Sequence, residues 1–138
     1  MTQSKLSVTL LATLAVGMLS ATTVCAAQLQ TTFRGNRPIA ITGLVEQDGC
    51  FPARITGRVV KREFNNNGLV VQSVTLEEAS GERTFVNVDS GRLDSADLAT
   101  RSDAIRGLQI LLREGSRVTL GVFACGAAGR VIMLNSVR

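Results

Sequence analysis

Apolar and polar positions alternate with a period of two over most of the second half of the chain, and with a helical period over one stretch. Ile55, Gly57 and Val59 fall on one face, with Thr56, Arg58, Val60, Arg62 and Phe64 on the other, which predicts a strand over 54–64. The alternation resumes over 69–78, with Val70, Val74 and Leu76 on one face. It recurs over 82–88, where Thr84, Val86 and Val88 oppose Arg83, Phe85 and Asn87. Asn67-Gly68 between the first two predicts a tight primed hairpin turn, because both residues tolerate positive φ. Ala79-Ser80-Gly81 turns the chain again, giving a three-strand meander. The period then lengthens. Ile105, Leu108, Leu111 and Leu112 make one apolar stripe on a helix over 102–114. Ser102 or Asp103 reads as its N-cap, Arg113 lies in its last turn, and Gly115 ends it. Residues 94–101 read as a separate helical turn or an ordered loop. Period two returns where Val118, Leu120, Val122 and Ala124 alternate with Thr119, Gly121, Phe123 and Cys125. Gly126-Ala127-Ala128-Gly129 turns the chain into a final strand over 130–137. Upstream, Ile39, Ile41 and Leu44-Val45 predict a short edge strand within 37–46, Asp48-Gly49 a turn, and 28–36, without a period, a mobile start.

Three strands, a helix and two strands make a mainly β chain. A meander cannot bury both faces alone, and the helix offers one stripe. Closing five strands into a small barrel, with the helix at one end between strands 3 and 4, answers both needs. That order is the oligonucleotide/oligosaccharide-binding (OB) fold; an open β-sandwich with a helical crossover is the competing architecture.

The first 27 residues change the picture of where the chain works. Lys5 precedes an apolar stretch from Leu6 to Leu19, and small residues end in Val24-Cys25-Ala26-Ala27. This is the layout of a cleaved signal peptide. The stretch is shorter than the roughly 20 apolar residues a spanning helix wants, and Thr22 and Val24 do not fit a lipoprotein signal at Cys25. The expected organisation is a signal peptide at 1–27, an N-terminal extension at 28–49 and a barrel at 50–138. The mature chain is then exported, periplasmic or secreted, without a membrane span. Cys50 and Cys125 remain, and in an oxidising compartment they are expected to pair.

The run Thr56-Gly57-Arg58-Val59, followed by Phe64-Asn65-Asn66-Asn67-Gly68-Leu69, resembles the first hairpin of the receptor-binding B subunits of Shiga-type AB5 toxins. Leu111-Leu112, Ala124-Cys125, a glycine-containing turn and a last strand ending at Arg138 extend the likeness over about 50–138. The resemblance implies a secreted OB-fold with one disulfide, ring-forming self-association and glycan binding. Asn66 and Asn67 stand where that family carries turn carboxylates, and its sugar-stacking Trp has no counterpart.

Composition narrows the chemistry. The 138 residues hold no His, Trp or Tyr, which removes His-based acid/base catalysis and every Ser-His or Cys-His nucleophile pair. Asp89, Asp94 and Asp97, followed by Asp103, are the densest carboxylates. They read as solvated loop and helix-start acids rather than as a metal or hydrolytic centre. The expectation is a non-enzyme with neither cofactor nor metal. Arg58, Arg62 and Arg83, with Phe85 beside Arg83 and Asn65, Asn66 and Asn67 at the hairpin turn, are the candidate ligand-binding residues. Nucleic acid is disfavoured because the only aromatics are five Phe. The function read from the sequence is an exported, disulfide-closed binding module acting on a protein partner or on copies of itself through the 37–45 segment or the final strand. The alternatives are a pentameric glycan-binding toxin-type subunit, and an anion or single-stranded nucleic-acid binder using an Arg-rich barrel face.

Overall fold

The computed structural model describes residues 28–46 and 49–138. The expected signal peptide and Asp48 lie outside the described residues. Seven strands form one sheet: β1 (Gln30–Arg34), β2 (Arg37–Thr42), β3 (Phe51–Phe64), β4 (Val71–Glu77), β5 (Arg83–Asn87), β6 (Arg117–Cys125) and β7 (Val131–Val137). Their order is β1-β2-β7-β5-β4-β3-β6, and β6 pairs back onto β7. The last five strands therefore close into the expected barrel. The β5–β7 contact is its parallel seam, made at Asn87 and Met133, where the Asn87 amide also donates to the Ile132 carbonyl.

β3 closes the barrel by serving two neighbours. Its first half, Phe51 to Arg58, pairs with β6, and its second half, from Arg58, pairs with β4. Gly57 marks the changeover. A side chain there would collide with the Glu77 carbonyl, so only glycine lets the two backbones pass this closely. The Cys50–Cys125 disulfide forms at the end of the β3–β6 ladder. Val59, Val74, Leu76, Val86, Leu120 and Leu134 point inward and are buried.

Val60 is an extra residue in β3: Val59 faces Leu76, and the next pair is Lys61 with Thr75. Such a bulge inverts the alternation. Arg58 consequently faces out beside Glu77, whereas Arg62 pairs with fully buried Val74 and turns inward. The two arginines expected on one face lie on opposite faces. The hairpin turn also differs from expectation. Gly68 N–H donates to the Asn65 carbonyl, and Gly68 alone of the four turn residues has positive φ. This is a type I turn with a left-handed glycine rather than a primed two-residue turn.

Two helices follow β5: α1 (Gly91–Ser95) and α2 (Leu98–Leu111). The cap of α2 is Asp97, not Ser102 or Asp103; its carboxylate accepts from Thr100 N–H at 2.9 Å and from the Thr100 hydroxyl at 2.9 Å. Arg113 lies beyond the last turn, and Gly115 shapes the connection to β6, its N–H donating to the Val59 carbonyl. Arg101 gathers the carbonyls of Leu93, Asp94 and Ala96 at the end of α1. Ala104, Leu108 and Leu112 enter the barrel core.

The Thr100 hydrogen bonds hold the Asp97 carboxyl below its ordinary value of 3.8. That stabilisation is present above 3.8 and is lost as pH falls through the lowered folded value. Asp97→Ala is expected to reduce the melting temperature at pH 7, with the deficit shrinking in acid as the carboxyl is protonated. Thermal melts at pH 7 and across the acid range check this, and a deficit that persists undiminished in acid would place the stabilisation elsewhere.

Residues 28–36 are not a mobile start. β1 pairs with β2, and the hairpin packs on α2, where Gly107 lets Ile41 and Thr31 approach closely. β1 escapes a period reading because its alternating burial falls on Thr31 and Phe33, only one of which is strongly apolar. The hairpin also covers the edges expected to self-associate. β2 lies between β1 and β7, and β7 lies between β6 and both β5 and β2. Among the described residues, no helix is long and apolar enough to cross a membrane.

Candidate functional site

The candidate residues divide into three groups. Asn65 holds the hairpin turn: its carboxamide oxygen accepts from Leu69 and Val70 N–H at 3.3 and 3.2 Å, while Asn66 and Asn67 are exposed at the tip. Arg62 is a structural cation. Its guanidinium donates to the Gln109 carbonyl in the last turn of α2 at 2.7 Å and lies 4.9 Å from the centre of the Phe64 ring, which satisfies an orphan helix carbonyl. Arg58, Arg83 and Phe85 share the outer face of β3, β4 and β5. Arg58, Glu77 and Arg83 form one cross-strand row, and Lys61, Thr75 and Phe85 form the next. Phe85 is 52% exposed, so it does not belong to the core. The charges on this face are largely compensated. Arg83 pairs with Glu77 at 2.9 Å and Lys61 with Glu63 at 3.1 Å, and the Lys61 contact holds the Glu63 carboxyl below its usual value.

The neighbouring outer face, across β3, β6 and β7, is different. Outward positions on β3 carry Pro52, Arg54, Thr56 and Arg58. Opposite them on β6 stand Phe123, Gly121, Thr119 and Arg117. β7 adds Ser136 beside Gly121 and Arg138 beside Thr119. Arg54, Arg58, Arg117 and Arg138 are all exposed, and none of them forms an ion pair among the described residues. Arg58 and Arg117 face each other directly, a like-charge arrangement that an anion above them relieves; Glu77, across from Arg58 on its other side, is paired with Arg83. The Thr56 and Thr119 hydroxyls hydrogen-bond at 3.0 Å between the arginines. Beside them runs a groove of about 300 Å³ whose lining includes Thr42, Arg54, Thr119, Asn135, Ser136 and Arg138, and no acidic side chain.

Sequence reading missed Arg54, Arg117 and Arg138. The usable signal was Arg54-x-Thr56-x-Arg58 and Arg117-x-Thr119-x-Gly121, two alternating runs whose polar members must share the outer surface once the strands pair. The acidic run has a local role: Asp89 accepts from Gly91 N–H at 2.8 Å, and Asp97 caps α2. A larger concavity, about 510 Å³, lies between Leu29, Arg92, Asp97 and Thr100. Its charges are engaged, Arg92 with Glu46 at 3.3 Å and Asp97 in its cap.

Barrel, helix position and disulfide together are compatible with an OB-like fold. Comparison with protein-family models, with curated proteins and with solved structures returned no match, so the architecture is characterised by its own geometry.

Proposed function

We propose that the chain is an exported, non-catalytic binding module that holds an anionic partner on the outer face of β3, β6 and β7. The observation that carries this reading is the pairing of Arg58 with Arg117, flanked by Arg54 and Arg138, with no carboxylate committed to any of the four. Four guanidinium groups on one sheet, none of them in an ion pair, raise the local concentration of anions and offer forked donors to oxyanions. The disulfide supports export, since such bonds persist in oxidising compartments. Self-association through the 37–45 segment or β7 finds no support, because both already have neighbours on each side.

Long-chain inorganic polyphosphate is a suitable probe because it presents charge without sugars or bases. Binding is expected to weaken steadily as salt rises. The double variant Arg54→Ala/Arg138→Ala is expected to lose about tenfold in affinity, while Lys61→Ala/Arg83→Ala on the other face stays within about twofold. Titration by fluorescence anisotropy measures both. Equal losses in the two variants, or binding indifferent to salt, would refute the assignment of the face.

A further inference from the structure

The groove beside these arginines has a chemistry narrower than charge alone. Resting on the anionic reading above, we infer that its ligand is an acidic polysaccharide, a chain of sugar rings bearing oxyanions.

Three observations select this class. Arg54 and Arg138 stand on opposite sides of the groove, diagonal across β6: Arg54 faces Gly121, whereas Arg138 pairs with Thr119, two residues along. Strand spacing and rise put their Cα atoms roughly 12 Å apart. An oxyanion at each end therefore requires a ligand of more than one unit. The rest of the lining is uncharged: Thr119, Ser136, Asn135 and Thr42 offer hydrogen bonds beside apolar Pro52, Val122 and Val137. Hydroxyls and a carboxamide both donate and accept, as ring hydroxyls do. At the floor, Gly121 carries no side chain, and the Ser136 hydroxyl occupies the place its Cβ would take. A donor-acceptor hydroxyl is thereby set over the backbone of β6, between the two arginines.

The same features disfavour the other polyanions. The backbone of β6 is paired with β3 on one side and β7 on the other, which leaves no edge in the groove to which an acidic peptide strand could add. Phe123 is the one aromatic in the lining and is only 6% exposed. Bases therefore find no platform on which to stack.

The test compares four polymers at matched charge concentration with the full mature protein: polygalacturonate, polyphosphate, oligo-dT and polyglutamate. Polygalacturonate is expected to bind about tenfold tighter than the other three. Ser136→Ala and Asn135→Ala are each expected to lower its affinity about threefold while leaving that for polyphosphate unchanged. If all four polymers bind equally and Arg54→Ala/Arg138→Ala weakens them all, the sugar assignment falls and the anionic face stands. Tighter binding of oligo-dT or polyglutamate overturns the assignment in favour of nucleic acid or an acidic protein. No binding by any polymer overturns both readings.

Discussion

Replacing Cys50 and Cys125 together by serine is expected to lower the stability of the protein by about 4 kcal/mol. The bridge spans 75 residues, and a cross-link over a loop of that size removes roughly this much entropy from the unfolded chain. The location makes the loss local as well as global. Cys50 directly precedes the Phe51–Ala124 pair, and from there to Thr56 β3 pairs with β6 alone. Once the sulfur link is gone, that half of β3 is free to fray, and Arg54 moves with it. Urea unfolding of the oxidised parent and the double serine variant measures the difference. A deficit below about 1 kcal/mol would mean that packing alone keeps the barrel closed.

Gly57→Ala is expected to cost about 3 kcal/mol, at the upper end for overpacking. The added methyl would lie against the Glu77 carbonyl group and 3.2 Å from the Glu78 Cα. A crowded side chain can rotate away, but these atoms are backbone. Relief therefore requires β3 and β4 to separate at the point where β3 changes partner. Equilibrium denaturation checks the prediction, and a variant within about 0.5 kcal/mol of the parent would show that the strands part easily there.

Five barrel strands were legible because each buries one face and so writes a period of two into the sequence. Their connections were less legible. The extra residue at Val60 carries no marker, since Val59 and Val60 are equally apolar and either could point inward. Only the pairing with β4 decides which, and that decision separates Arg58 from Arg62. The start of α2 was hidden because Leu98 is 75% exposed and stands off the apolar stripe, leaving the Asp97 cap as the sole local sign. The arginine face was hidden by distance along the chain. Arg54 and Arg58 meet Arg117 and Arg138 only when strands far apart in the chain come together. Each contributing run looks like ordinary solvated surface by itself, and the groove free of acidic side chains takes shape only after assembly.

The seating of the β1–β2 hairpin has a practical corollary for anyone producing a shortened version. A fragment starting at Cys50 would retain every rung of the cylinder, yet it would uncover the flank of α2 around Gly107 that Ile41 and Thr31 otherwise shield. It would also lack Ala40 and Thr42, which form one bank of the groove. Such a truncation is therefore both stickier and blunter than its parent, and a faithful minimal unit has to begin ahead of Gln30.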